Sequence, residues 1–257
     1  MKWAWFPLLL VACAPKGIGS NVDPVPSWAS DNGRVQAKIE LAEALVKNGT
    51  PEAALQMISQ MVEQGARHPD LHVLQGRALT DMGLTDEAEA ALSLATRRSP
   101  GNAEAHNRLG ILYLDQARTD EAIKRFRAAT RTAPKDPEVH NNLGFALMAA
   151  GRHDDAVEVL RKALMMDGSR DRTRNNLGFA LAAIGDDSAA WRVLKAGNNE
   201  ADARTNLALA QEARGDTEAA LNSYRKAIQA NPDHESAQEA IARLSTAPVE
   251  PSPSQEP

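Results

Sequence analysis

The sequence predicts an all-α solenoid of about six helix-turn-helix units closed by one further helix. Three observations predict it. Small residues return every 34 positions, at Ala42, Gly76, Gly110, Gly144 and Gly178. A second small residue keeps the same step twelve positions later, at Ala54, Ala88, Ala122, Ala156 and Ala190, before both series shorten to a step of 30 at Ala208 and Ala220. Hydrophobic residues make up 43% of the 257 positions but aromatics only 4%, which suits closely packed helices better than a β-sandwich.

Composition also excludes some functions. The net charge is −5 with both signs interleaved, so there is no basic stripe to neutralise phosphates along a nucleic acid. A single cysteine rules out an internal disulfide. No Gly-rich phosphate loop, zinc-ligand spacing or nucleophile elbow occurs, and we expect no catalytic residue, cofactor or metal.

In chain order, Met1-Lys2 and the apolar run Trp3 to Ala12 are too short to cross a bilayer, which takes about 20 helical residues. They suit a signal peptide over residues 1–12. The run closes in Leu10-Val11-Ala12-Cys13, which resembles the lipobox of bacterial lipoproteins. That resemblance implies cleavage before Cys13 and lipidation of its sulfur and amino group, with palmitate among the acyl chains. Ala14 in place of Asp implies, by the same resemblance, an outer-membrane protein facing the periplasm. A plain signal peptide, or a free thiol, is the alternative. Residues 13–33 carry Pro15, Gly17, Gly19, Pro24 and Pro26 without a helical period and read as a flexible tether. The array follows over 34–245. Residues 246–257, with Pro248, Pro251, Pro253 and Pro257, lack apolar residues to bury and read as a disordered tail.

Within the array, the unit from Pro69 to Pro100 shows the logic. Leu71, Leu74, Ala78, Leu79 and Met82 fall at 3–4 spacing, and Gly83 supplies a turn. Thr85 is expected to cap a second helix carrying Ala88, Ala91, Leu92 and Ala95. Turn glycines recur as Gly49, Gly151, Gly185 and Gly215, but Ala117 stands where the third unit needs one. Thr50-Pro51, Asp136-Pro137 and Pro232-Asp233 mark helix starts. Each mid-helix glycine costs about 1 kcal/mol against alanine. We therefore expect Gly76, Gly110, Gly144 and Gly178 at close crossings completed by the alanine twelve positions on. Gly168 replaces a unit-ending proline. The 30-residue step removes a helical turn near Gly197 to Ala203, predicting a kink or a shortened helix there, with Trp191 either filling the gap or simply buried.

These residues resemble the tetratricopeptide repeat, whose units place small residues at the eighth, twentieth and twenty-seventh places and proline at the thirty-second. The chain supplies Gly76/Ala88/Ala95/Pro100, Gly110/Ala122/Ala129/Pro134, Gly144/Ala156/Ala163 and Ala208/Ala220/Ala227/Pro232. The resemblance implies a superhelix whose inner wall carries the fifth, sixth, ninth, twelfth and thirteenth places of each unit. The fifth reads Asn107, Asn141 and Asn175; the sixth Arg108, Asn142, Asn176 and Asn206; the ninth Ile111, Phe145, Phe179 and Leu209. Asparagine is a poor helix former, and its amide offers the donor and acceptor needed to hold a peptide unit. The expected function is therefore a non-enzymatic scaffold that grips an extended segment of a partner protein. The alternative is that the phenylalanines are covered and the asparagines bond within the superhelix.

His72, His106 and His140 share the fourth place and are expected as half-buried spacers, since stacked helices sit about 8–10 Å apart, too far for one metal. The paired runs Asn141 to Leu147 and Asn175 to Leu181 look like those of tight-adherence (Flp) pilus assembly lipoproteins. Similar lipoproteins act as pilotins for an outer-membrane secretin. This implies a partner in pilus, secretion or other envelope assembly machinery. Rivals are an adaptor for envelope proteases or peptidoglycan hydrolases, and a hydrolase working in the groove.

Overall fold

The computed structural model describes residues 27–246, with side chains from 33 to 245. The signal peptide, Cys13, the tether as far as Pro26 and the tail beyond Thr246 lie outside the described residues. Six hairpins follow one another: α1 Ser27–Lys47 with α2 Pro51–Glu63, α3 Leu71–Asp81 with α4 Thr85–Arg98, and α5 Ala103–Asp115 with α6 Thr119–Thr132. Then come α7 Pro137–Ala149 with α8 His153–Met166, α9 Asp171–Ala183 with α10 Asp187–Lys195, and α11 Glu200–Ala213 with α12 Thr217–Ala230. Helix α13, Glu235–Thr246, closes the stack. There is no strand among the described residues, and no described helix is long and apolar enough to cross a membrane. Helix α1 begins at Ser27, earlier than the expected start of the array at 34. No proline follows Pro26 in that stretch, so nothing stops the helical bonding from running back through the last residues read as tether.

Every hairpin turn is built from one backbone device. The residue after the helix cap bonds three residues back, and the next residue bonds five back, satisfying two terminal carbonyls at once. Gly83 N–H donates to Thr80 O at 2.9 Å and Leu84 N–H to Leu79 O at 2.9 Å. The same pair of bonds recurs at Gly49, Gly151, Gly185 and Gly215, all with positive φ. Ala117 adopts φ 58° to make the same bonds, to Leu114 O at 2.9 Å and from Arg118 to Tyr113 O at 2.8 Å. Arg118 reinforces that turn by bonding Glu89 at 2.6 Å and Glu121 at 2.5 Å, with its guanidinium 4.2 Å from the Tyr113 ring centroid. Thr85 does not cap α4: Leu84 holds the cap position, and the Thr85 hydroxyl donates to Gly83 O. At α10 and α12, where the cap residue is an aspartate, the capping bond forms, from Ala189 N–H to Asp186 at 2.9 Å and from Ala219 N–H to Asp216 at 3.1 Å.

The mid-helix glycines do mark close crossings, but the partner is larger than expected. A Cβ on Gly76 would lie 2.5 Å from Leu92 Cγ, one on Gly110 2.7 Å from Phe126 Cε1, and one on Gly178 2.5 Å from Leu194. Gly144 is packed as tightly against Leu160. Each glycine thus makes a hollow for a fully buried side chain sixteen residues on, and Ala88, Ala122, Ala156 and Ala190 are fully buried as well. In the outer units Ala42 and Ala208 occupy the same place, with Ile58 and Tyr224 sixteen residues on.

The core runs along the stack as a series of clusters. One cluster runs from Leu79 to Ala210 through Leu109, Phe126, Leu147, Leu160 and Leu181. A second at the amino end joins Ile39, Ile58, Met61 and Leu71, and a third at the other end joins Ala208, Tyr224 and Ala237. Each helix packs on its chain neighbours, and successive first helices (α3, α5, α7, α9, α11) also touch one another. Such nearest-neighbour packing is what makes a solenoid.

The shortened step appears where expected. Helix α10 has nine residues, against 14 in α4, α6, α8 and α12. Trp191 is half-buried there. The Arg204 guanidinium from α11 lies 3.5 Å from its ring centroid and Lys195 Nζ lies 5.2 Å away. Asp187, at the start of α10, accepts from Gln211 at 2.6 Å and Arg214 at 3.0 Å. Ser223 of α12 donates to Gln211 at 2.7 Å.

Candidate functional site

First helices contact each other along the array while second helices pack chiefly on first helices, so α3, α5, α7, α9 and α11 form the inner layer. The fifth- and sixth-place residues on that layer are joined to one another. Asn142 Nδ2 donates to Asn107 Oδ1 at 3.0 Å, and Asn176 Nδ2 donates to Asn141 Oδ1 at 2.9 Å. Asn141 Nδ2 reaches Asn142 Oδ1 at 3.4 Å, closing one chain of amides across α5, α7 and α9. Asn107, Asn141 and Asn142 are buried. Adjacent inner helices approach closely enough that the sixth-place amides of Asn142 and Asn176 find the preceding unit's fifth-place amide, as the alternative reading of the asparagines expects. The ladder stops at both ends for a chemical reason. In the second unit the fifth place is Val73, which has no amide, so Arg108 turns to Glu104 at 2.6 Å. Beyond α9, Asn198 takes Asn175 at 2.9 Å, leaving Asn206 half-buried without a side-chain hydrogen bond among the described residues.

The ninth-place residues are placed differently. Phe145 is 45% exposed and Leu209 42% exposed; Ile111 and Phe179 are half-buried against the core. Together they make an apolar row on the inner layer, beside the amide ladder. Phe179 lines a cavity of about 230 Å³ with Met148, Ala183, Ala210 and Ala213. His153 and Arg214 form its polar end. Arg214 is fixed by Asp187 and by Asp216 at 3.0 Å, and the Asp187 hydrogen bond raises its pKa further above the ordinary guanidinium value. The side chain at this end is consequently a permanent, oriented charge. His153 Nδ1 is buried without a hydrogen-bond partner among the described residues. Sequence reasoning named none of these cavity residues except Phe179. Yet Met148 at the twelfth place and Ala183 and Ala213 at the thirteenth fall on the wall the repeat pattern designates, so the signal was present.

Each fourth-place histidine makes local contacts of its own, though His106 Nδ1 is buried without a hydrogen-bond partner among the described residues. His72 lies 3.0 Å from Arg98 Nη1 and 3.2 Å from Gln75 Oε1, His106 Nε2 lies 3.0 Å from Pro100 O, and His140 Nδ1 lies 2.9 Å from Asp136 O. Burial lowers the pKa of His106, with a smaller opposing effect from its bond to Pro100 O, so the ring favours its neutral form. Among the described residues no group of three or more His, Cys, Asp or Glu side chains is placed to hold a metal.

A family model described as the Cilia and flagella-associated protein 70 C-terminal domain matches residues 25–201, more than half of the chain, and the Tetratricopeptide repeat model matches 201–234. The chain belongs to this tetratricopeptide-repeat family. Comparison with curated proteins gives no match. Among solved structures the tetratricopeptide fold is shared with YrrB, described as a TPR protein with an unusual peptide-binding site. It is 22% identical with a TM-score of 0.59, covering 72% of this chain and 97% of that one. It is shared too with MamA from Desulfovibrio magneticus RS-1, 21% identical with a TM-score of 0.56, covering 62% of this chain and 90% of that one. The second family match begins at 201, the first residue after the 30-residue step, so the repeat register resumes intact once α10 has ended short.

Proposed function

We propose that this protein is a non-enzymatic scaffold whose inner surface holds a segment of a partner protein. The observation that carries the reading is the apolar row of Ile111, Phe145, Phe179 and Leu209, with large side chains left open to solvent beside a cavity sized for one apolar side chain. Exposed apolar surface flanked by polar groups marks interaction sites. The described peptide-binding site of YrrB, on the same fold, supports it. Asn107, Asn141, Asn142 and Asn176 are engaged with one another. Their part in binding is to set the spacing of the inner helices, while Phe145, Phe179 and Leu209 supply the contact area. Arg108, Asn175 and Asn206 border that surface.

We further propose that the scaffold is lipid-anchored through Cys13 on the periplasmic face of the outer membrane and serves an envelope assembly system such as a pilus or secretion machine. The apolar run before Cys13 and the paired Asn-Asn-Leu-Gly-Phe runs support this reading. A photo-crosslinking residue at Phe145 in living cells, with Met165 (79% exposed on α8) as control, tests the groove. The expected result is one protein captured from Phe145 and not from Met165, whose binding is lost in Phe145→Asp/Leu209→Asp while the melting curve is unchanged. Capture from Met165 alone would remove the groove from consideration. Loss of membrane fractionation in Cys13→Ser tests the anchor separately.

A further inference from the structure

At the amino end of the described stack, a cavity of about 490 Å³ opens between α1, the end of α2 and the connection to α3. Val35 and Met61 form its floor and belong to the core cluster of Ile39 and Ile58. Its rim carries Arg34, Lys38, Arg67 and His68, and among the described residues no acidic side chain lines it. A second opening of about 460 Å³ shares Ala66, Arg67 and His68 and continues to His72 and Arg98.

The polar chemistry of this cavity lies in side chains. The Gly65 and Ala66 amides are already used in ending α2, bonded to Val62 O at 3.0 Å and Met61 O at 2.9 Å. Lys38 Nζ touches only Gln64 Oε1, at 3.4 Å, and among the described residues neither Arg34, Lys38 nor Arg67 forms an ion pair. Asp70, close by in the connection, is taken up with His68. Its N–H donates to His68 Nδ1 at 3.3 Å and its carboxylate lies 3.6 Å from the same atom. With Nδ1 turned to Asp70, Nε2 is left to act as a ring N–H donor. Elsewhere in the array Arg118, Arg170, Arg214 and Arg243 are each matched by carboxylates. Here three cations share one concavity that no described acidic side chain lines, in a chain whose net charge is −5.

We propose that this cavity binds a phosphate group. Arg34 and Arg67 offer planar donor forks that match phosphate oxygens, Lys38 a compact charge, and His68 a ring N–H donor. The volume leaves room for a substituent on the phosphate, over the apolar floor. Two sources share this chemistry, a soluble phosphate ester and the headgroup of an anionic lipid.

The test uses the full chain carrying Cys13→Ser, so that no acyl chain contributes. It is titrated calorimetrically with pyrophosphate and floated with vesicles of phosphatidylglycerol or of phosphatidylcholine. Pyrophosphate should bind, and Arg34→Gln/Arg67→Gln should weaken it roughly tenfold or more, as loss of two charge-assisted hydrogen bonds implies. Both arginines are exposed, so the melting curve should not move. Flotation with phosphatidylglycerol and not phosphatidylcholine would assign the site to lipid. Pyrophosphate binding without flotation would assign it to a soluble phosphate. Arg127→Gln/Arg225→Gln, also on exposed arginines, changes net charge equally. The proposal is overturned if that control weakens binding as much, if Arg34→Gln/Arg67→Gln binds like the unaltered chain, or if neither pyrophosphate nor phosphatidylglycerol is bound.

Discussion

The α5–α7–α9 stretch and the α9–α11 junction solve the same packing problem with different chemistry. In the first, 34-residue units repeat the crossing of Gly110 on Phe126 and Gly144 on Leu160, and neutral amides from Asn107, Asn141, Asn142 and Asn176 tie one unit to the next. In the second, the lost turn of α10 breaks that register. The junction is instead held by Arg204 over Trp191 and by Asp187 with Gln211 and Arg214. A constant period lets one residue type serve at every unit. A deletion forces local improvisation with longer side chains, which span a gap that an asparagine cannot.

The largest effect should separate the two regions by tolerance to added volume. Gly144→Leu places a side chain against the sealed Leu160, and we expect a loss of about 3 kcal/mol or more by overpacking. Gly197, at the junction, also faces a close neighbour, but that neighbour is the Arg174 side chain, which can swing away. Gly197→Ala should cost less than about 1 kcal/mol, within the range of ordinary substitutions. Thermal melts of the two variants decide it. Equal destabilisation would show that the junction is as rigid as the regular stack.

The amides give the next effect. Asn142→Ala removes the donor to Asn107 Oδ1 and the acceptor for Asn141 Nδ2, both on buried side chains. Stranded buried polar groups cost about 1–3 kcal/mol each way. Asn206→Ala, at the same sixth place beyond the junction, breaks no side-chain bond and should stay within about 0.5 kcal/mol. Denaturant unfolding of both, with the slope compared as well as the midpoint, measures this. If Asn142→Ala is neutral, the ladder is incidental to stacking and its amides are free to serve a ligand after all.

How much of this was readable in advance follows from the range of each interaction. Hairpins, turn glycines, the left-handed Ala117 and the shortened α10 are written in local spacing, so the 34-residue period and its one 30-residue step disclose them. The early start of α1 escaped because the Pro- and Gly-rich character of the preceding stretch hid where it ended. Thr85 misled because a good capping residue one position too late cannot cap. The partners of Gly76 and Gly144, at Leu92 and Leu160, depend on how deeply the two helices interlock, which periodicity alone does not state. The pairing of Asn142 with Asn107 joins residues 35 apart. From sequence the row of asparagines was visible, but whether the amides meet each other or a ligand depends on sub-ångström helix spacing. The exposure of Phe145 was legible for the opposite reason: its position in the unit fixes which way it points.

Ala117 supplies the smallest and most discriminating measurement. It sits within the regular stack, yet it is the one non-glycine residue with positive φ among the described residues. A left-handed alanine costs about 1–2 kcal/mol. Part of any gain from Ala117→Gly is returned, because glycine loses more backbone freedom on folding, about 0.5–1 kcal/mol. The net expectation is stabilisation by about 0.5–1 kcal/mol, a rise in Tm of roughly 1–4 °C for a chain of this size. The converse change, Gly83→Ala at φ 73°, should lower Tm by a similar or larger amount, since Leu84 offers that turn no counterpart to Arg118. If Ala117→Gly instead destabilises, the turn is being held by the Arg118 bonds to Glu89 and Glu121, and a stiffer backbone is needed to aim them. The double variant Ala117→Gly/Arg118→Ala then tells the two apart: a backbone-governed turn gives additive effects, whereas a turn aimed by alanine gives a smaller loss from Arg118→Ala once glycine is present.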